Sequence, residues 1–292
     1  MDRYSGWGRP FSFIHQNYLR FVDRKRSRLI RGSSEIDGWV PGRVSIPIAT
    51  YDRISVLIER TLPALFEQSY KDIEVIVIGD GTDEDDFARL LDVSDPRLIL
   101  ELAPKRQRYP KDLKRMWMVA GSHARNRGMD LSSGEWFLWM SDDDILHPNA
   151  IETLIEGAAS VPGCNLSCGG TMTETAQGAP TLHLPSTEDL GFGFAFAGMP
   201  AVLVHRDFGY VRWNRFSHMK DWNRPSDYDL FERISGLGVR PASTDDVLAR
   251  IPLVASTGLT GSAAFAREEG NRRRFATPPD RGNSESGCDL PR

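Results

Sequence analysis

The chain has 292 residues, a formal net charge of -4 and a pI near 5.9. It is long enough for one large core or two small ones, and its bulk charge does not call for nucleic acid as a partner. No apolar run approaches the roughly 20 residues of a spanning helix, no signal-peptide core opens the chain, and three cysteines are an odd count for a disulfide framework. The expectation is a cytoplasmic protein of a reducing compartment, with Cys164 and Cys168 as idle thiols.

Residues 1–42 read as a basic N-terminal extension. Ile14, Tyr18, Phe21, Val22 and Leu29 fall on one helical stripe among Arg20, Arg24, Lys25, Arg26, Arg28 and Arg31. Such a helix can dock its stripe on the following domain or lie on an anionic membrane surface, and the shortness of the stripe favours docking.

Val44 to Thr50 forms a short apolar strand, Tyr51-Asp52-Arg53 a turn, and Val56, Leu57, Thr61, Leu62 and Leu65 recur at helical spacing. Ile73 to Ile78 gives a second, nearly all-apolar strand. Strand, helix and strand in that order predict a parallel pair covered on both faces, hence an α/β fold. Gly79-Asp80-Gly81-Thr82-Asp83 then lies at the carboxyl edge, where open α/β sheets bind ligands, although Gly and Asp are also ordinary turn residues. Arg97 to Leu102 is a third strand, followed by a basic loop holding Lys105, Arg106, Arg108, Lys111, Lys114 and Arg115, either a solvated surface or a holder of phosphates or an anionic acceptor. A helix at 123–129 and a strand at 135–140 complete the half.

That last strand delivers Ser141-Asp142-Asp143-Asp144. Adjacent carboxylates repel, and burying them is costly unless something cationic offsets the charge. Mg²⁺ takes one or two protein carboxylates and fills its shell with water and phosphate oxygens, so the triplet suits a nucleotide-diphosphate site. The alternative is that Asp144 favours the N-terminus of the helix opened by Pro148.

Beyond it, residues 151–159 continue as a helix, 163–170 read as turn-rich, and 171–190 as a polar excursion. Residues 199–206 form a strand ending in His205. Asp227 opens a helix whose Leu230, Phe231 and Ile234 face a core, which alone would make it a cap or first-turn acid. Residues 255–292 are poor in apolar side chains and read as a mobile tail.

Val44 to Thr50, Gly79 to Asp83, Ala124-Arg125-Asn126-Arg127-Gly128, Gly134-Glu135-Trp136, and Ser141 to Asp144 with Pro148 together resemble family 2 glycosyltransferases with the GT-A fold. The resemblance covers about 43–254. It implies a Rossmann-like, mixed but mainly parallel sheet flanked by helices in a single large domain, with 1–42 as extension and 255–292 as tail. It also implies that Asp80 contacts the base or ribose, Asp142 the ribose, and Asp143, with help from Asp142 or Asp144, a Mg²⁺ or Mn²⁺ ion on the diphosphate. Thr50, Asp52 and Arg125 join the nucleotide-sugar contacts, and Asp227 becomes the catalytic base. Two departures stand out: Gly79 and Ser141 occupy positions where the family often carries Asp.

The expected activity is an inverting, metal-dependent transfer from a nucleotide-diphosphate sugar to a glycan, lipid-linked or small-molecule acceptor, in bacterial-type glycan or glycoconjugate biosynthesis. The expected location is cytoplasmic, with membrane association through the basic N-terminal segment as an option. Two alternatives are a sugar-nucleotide or glycan-binding protein on the same scaffold and a nucleotidyltransferase. The latter normally shows a Gly-rich, basic phosphate loop, which Ile48 to Arg53 lacks.

Overall fold

β1 (Val40–Thr50) is the strand on which the sheet is laid: Val44, Ile46 and Ile48 are wholly buried and both of its edges are paired. The computed structural model describes residues 8–31, 38–174, 179–185, 198–219 and 225–252. Ahead of β1 lies α1 (Gly8–Arg31). After it come α2 (Ile54–Val56), a wider π turn (Leu57–Thr61) and α3 (Leu62–Phe66), which bury Ile54, Leu57, Leu62 and Leu65 in the core. β2 (Ile73–Gly79) then runs parallel to β1, the pairing expected from the strand–helix–strand order.

The chain continues through α4 (Glu84–Ala88), capped by Asp83, and β3 (Leu98–Leu102), parallel to β2. α5 (Leu113–Val119) is capped by Asp112, and α6 (Ser122–Leu131) leads into β4 (Gly134–Leu138), β5 (Met140–Ser141) and β6 (Ile145–Leu146). α7 (Ala150–Ser160), β7 (Leu166–Thr173), β8 (Thr181–His183), β9 (Val202–His205), α8 (Ser226–Ser235) and β10 (Pro241–Ile251) follow. The sheet order is β3-β2-β1-β4-β9-β7-β10-β6, with β5 beside β1 and β8 beside β7. β3, β2, β1 and β4 are mutually parallel, whereas β9 runs antiparallel to both β4 and β7, so the sheet is mixed. Side chains on one face join a core with α2, α3 and α7; on the other, Phe137 and Trp139 pack with Phe231 of α8. Among the described residues no helix is long and apolar enough to cross a membrane, and Cys164 and Cys168 are free.

Two expectations are corrected. The glycine-bearing stretch 163–170 is largely strand β7, because its glycines serve close packing: a Cβ on Gly169 would lie 2.3 Å from Leu248 Cδ1, and one on Gly170 2.9 Å from Leu184 Cδ2. α1 does dock, but not by the apolar stripe, since Ile14, Tyr18 and Phe21 are 67, 61 and 65% exposed. Its inward face is set instead by Asp23, buried and bonded to Arg233 at 3.2 Å, and by Arg20 paired with Glu232 at 2.9 Å. A buried carboxylate must meet its cation, and that requirement outweighs a short apolar stripe. The tail beyond residue 254 lies outside the described residues.

Candidate functional site

Register brings three strand ends to one edge of the sheet. Thr50 of β1 stands opposite Gly79 of β2, and Ala49 opposite Ser141 of β5, so Asp80 and the acidic triplet emerge on either side of Thr50. Thr50 ties them together. Its Oγ1 donates to Asp142 Oδ2 at 2.9 Å, and its carbonyl accepts Asp80 N–H at 2.7 Å and Thr82 Oγ1–H at 3.2 Å.

Each carboxylate of the triplet has a different setting. Asp142 is buried, accepts from Thr50, and its other oxygen lies 3.3 Å from Arg53 Nη1. Burial pushes it up to about 6 even though the Arg53 charge pulls it down. Asp143 is half-buried and lies 2.5 Å from the same Arg53 nitrogen. Asp144 turns back into its own turn, where one oxygen accepts Ser141 N–H at 2.8 Å; burial, then the neighbouring Asp143 charge, pushes it up to about 7. Asp52 is exposed in the turn after β1.

A hard divalent cation fits this donor set. Asp142 and Asp143 already converge on one positive group, both offer oxygen, and Asp143 stands at the half-open mouth. Among the described residues no group of three or more His, Cys, Asp or Glu is poised for a metal.

Asp80 lies on the other side of Thr50 and is buried, accepting a short hydrogen bond from Tyr109 OH. Burial, then the Asp80 charge, holds that phenol protonated far above its usual range. Arg106 stacks over the Tyr51 ring at 3.5 Å and reaches the Tyr109 ring at 5.6 Å. Gly81, at φ 74°, must be glycine: a Cβ there would lie 2.2 Å from Arg106 N. At Gly79 a Cβ would meet Leu102 Cδ1 at 2.6 Å and Phe87 Cδ2 at 2.9 Å, so the Asp common at this family position has no room.

Arg125 joins the acidic edge to α8. It bonds to Ala120 O at 2.9 Å and lies over Trp213 at 4.8 Å, and its charge lowers Asp142, Asp144 and Asp227 alike. Asp227 is therefore near the triplet in space, although about 85 residues separate them in sequence. It is half-buried in the first turn of α8, where the N-cap is Pro225 and no side chain caps the helix. Among the described residues its carboxylate accepts the Tyr228 N–H, at 2.9 Å, and its own backbone N–H, and burial raises its pKa. Asp229, two residues on, is wholly buried and paired with Arg233 at 3.1 Å and Asn214 at 3.3 Å.

Thr50, Asp80, Arg125, Asp142, Asp143, Asp144 and Asp227 thus share one region, with Asp52 on its exposed rim. Tyr51, Arg53, Tyr109 and Trp213 have no role in the sequence reading, and Arg106 stands there only within the basic loop. Only Arg53 carried a usable signal, as a cation three residues past a strand end facing an acidic triplet.

The sequence model of Glycosyl transferase family 2 matches residues 45–217. The GalNAc(5)-diNAcBac-PP-undecaprenol beta-1,3-glucosyltransferase of Campylobacter jejuni is 29% identical over 141 residues, 47% of this chain and 42% of that protein, so the match spans less than half of the relative. The uncharacterized glycosyltransferase R139 of Acanthamoeba polyphaga mimivirus is 31% identical over 212 residues, 65% of this chain and 83% of that protein. In three dimensions the chain is similar to S. aureus TarS 1-349 in complex with UDP-GlcNAc, with a TM-score of 0.56 at 12% identity over 73% of this chain and 59% of the other. The mannosyltransferase PcManGT from Pyrobaculum calidifontis, in complex with GDP-Man and Mn2+, gives a TM-score of 0.51 at 13% identity over 91% and 74%. At these identities the two structures speak for the fold.

Proposed function

This chain belongs to glycosyltransferase family 2 and has the GT-A fold, and from that premise we propose that it is an inverting, metal-dependent glycosyltransferase acting from a nucleotide-diphosphate sugar. The observation that supports the reading is that the Arg125 charge acts on Asp142, Asp144 and Asp227 alike, so the acidic edge and the candidate base share one electrostatic neighbourhood.

Asp80, Thr50 and Asp142 would orient the nucleoside, with Arg106 on Tyr51 as a flat cationic platform beside it. Asp143, with Asp142, would hold Mg²⁺ or Mn²⁺, with the remaining oxygen of Asp144 in reserve. When bound, the ion neutralises charge on the diphosphate as the glycosidic bond breaks. Arg125 supplies positive charge between the two halves of the site. Asp227 accepts the acceptor's hydroxyl proton while that oxygen attacks the anomeric carbon opposite the nucleotide, so one displacement inverts configuration. Burial raises Asp227 toward the range of an efficient base, while Arg125 keeps it from rising further.

The acceptor in this reading is a glycan on a lipid carrier at the cytoplasmic face of a membrane. Ile14, Tyr18 and Phe21 form an exposed strip along α1 with exposed Arg24 and Lys25 beside it, the pattern of a helix lying on an anionic surface. The undecaprenol-linked substrate in the name of the Campylobacter relative agrees with this.

The test is a panel of nucleotide sugars with Mn²⁺ or chelator, scored for nucleotide release with and without lipid-linked acceptor. Release that needs both the ion and one donor is expected. Binding of donors without release under any condition would instead favour a sugar-nucleotide-binding protein.

A further inference from the structure

α8 carries Asp227 in its first turn, so the roll of this helix about its axis decides where that carboxylate faces. One side of α8 is set by the core, where Leu230, Phe231 and Ile234 are wholly buried. A stripe of three residues is narrow and leaves a short helix room to roll, and no side chain caps its N-terminus to hold that end. The polar side of α8 is held from α1. Arg20 Nη2 lies 2.9 Å from Glu232 Oε1, and Arg233 Nη1 lies 3.2 Å from Asp23 Oδ2. Both helices fall outside the 45–217 stretch, so the junction is no part of the matched family pattern.

Arg233 is the hub of that junction. Its Nε lies 3.1 Å from Asp229 Oδ2 on the same helix, Nη1 reaches Asp23, and Nη2 donates to the carbonyl of Arg212. The side chains of Arg233, Asp23 and Asp229 are only 3, 5 and 0% exposed. One carboxylate balances a buried guanidinium, and Asp229 already supplies it. A second, brought by another helix, is not needed for neutrality, and burial raises its pKa against the pull of Arg233 and Arg26. What Asp23 adds is direction, because a guanidinium fork held at several nitrogens is fixed in plane as well as in place. The Arg212 carbonyl extends the reach: the next residue, Trp213, lies under Arg125 at 4.8 Å, and the Arg125 charge acts on Asp227. We propose that Asp23 of α1 is a positioning residue for Asp227, setting through Arg233 both the roll of α8 and the seat of Arg125, with the Arg20–Glu232 pair as a second tie, an inference that rests on the reading of Asp227 as the base.

The full chain is made as Asp23→Asn, Arg20→Gln, Asp227→Asn and the Asp23→Asn, Asp227→Asn double variant. Urea curves check folding, and transfer is followed with Mn²⁺ and the donor that the nucleotide-sugar panel selects. Asp23→Asn should lower kcat by about ten- to a hundredfold, the scale of a misplacement of about 1 Å, with donor affinity by calorimetry within about twofold of wild type. Arg20→Gln, in a half-exposed pair, should fold normally and lower kcat by about two- to threefold. In the Asp227→Asn background Asp23→Asn should cost nothing further, since a positioning residue acts through the group it places. A purely structural role would lower stability and leave kcat of the folded protein unchanged. Wild-type kcat in both folded variants, a loss of donor affinity with kcat intact, or a fall that persists in full in the Asp227→Asn background overturns the proposal; where Asp23→Asn does not fold, Arg20→Gln decides by the same kcat and affinity criteria. Near-normal transfer by Asp227→Asn removes the base reading instead. The ¹³C carboxyl signal of Asp227, assigned by its loss in Asp227→Asn, then tests the tie without any transfer: it moves in Arg20→Gln if α1 places Asp227, and an unmoved signal overturns the tie as well.

Discussion

Arg53 Nη1 lies 2.5 Å from Asp143 Oδ2 and 3.3 Å from Asp142 Oδ1, so one guanidinium fills the role that a divalent cation would take on the same two carboxylates. Ion and arginine should therefore compete. Arg53→Gln should lower stability by about 1–2 kcal/mol in chelator, a partly buried ion pair being worth more than a surface one and less than a fully buried one. Mn²⁺ should restore most of the loss. Thermal melts of both proteins with and without Mn²⁺ check this, and an equal deficit in both conditions would separate Arg53 from the metal site.

The triplet should also make stability depend on pH in an unusual direction. Asp144 is pushed up to about 7, against roughly 3.9 for a free Asp, so between these values the folded chain holds more protons than the unfolded one. Stability from this group is then lost as pH rises through the window. Urea unfolding of wild type and Asp144→Asn in chelator isolates it. The wild type should lose ground relative to the variant from about pH 5 to pH 7.5, and a gap that stays constant or moves the other way would contradict the buried setting.

Asp229 serves the fold. It is fully buried in a network with Arg233, Asn214 and, through Arg233, Asp23 of α1. Neutralising one member of a buried pair costs about 3 kcal/mol or more, so Asp229→Asn should unfold at clearly lower urea concentration. Asp227→Asn should not, because the hydrogen bonds that Asp227 accepts come from the backbone N–H groups of Tyr228 and of Asp227 itself, which an amide oxygen can also accept. Parallel urea curves decide between them.

Gly79 is glycine for want of space. Gly79→Asp would drive a side chain into Leu102 and Phe87 and place a carboxylate on a buried strand end, so it should destabilise by at least 1–3 kcal/mol without improving donor affinity. Melting and calorimetry check both halves.

What the sequence made legible follows from how local each signal is. The β1–β2 pair was readable because apolar runs and the helical spacing between them lie within about 35 residues. The motif set also pointed to the region around Thr50, Asp80, Asp142, Asp143, Arg125 and Asp227. The Arg53 clamp, the Tyr109 bond to Asp80 and the face by which α1 docks depend on partners 29 to 210 residues away, and no spacing rule carries them. β7 differs from the turn expected of its glycines because Gly169 answers to Leu248, 79 residues further on.

The measurement that bears most directly on the proposed chemistry pairs transfer rate with donor affinity in Asp227→Asn. The amide is nearly isosteric with the carboxylate, so the fold should hold and, with Asp80, Asp142 and Asp143 untouched, calorimetry should give donor affinity within about twofold of wild type. Transfer should fall by roughly 10²- to 10⁴-fold, the contribution of a general base. In wild type, the acid limb of the rate profile should sit above the ordinary carboxylate range, since burial raises this group, and the variant should lack that limb. Near-normal transfer by Asp227→Asn, with donor affinity intact, would contradict the role given to Asp227.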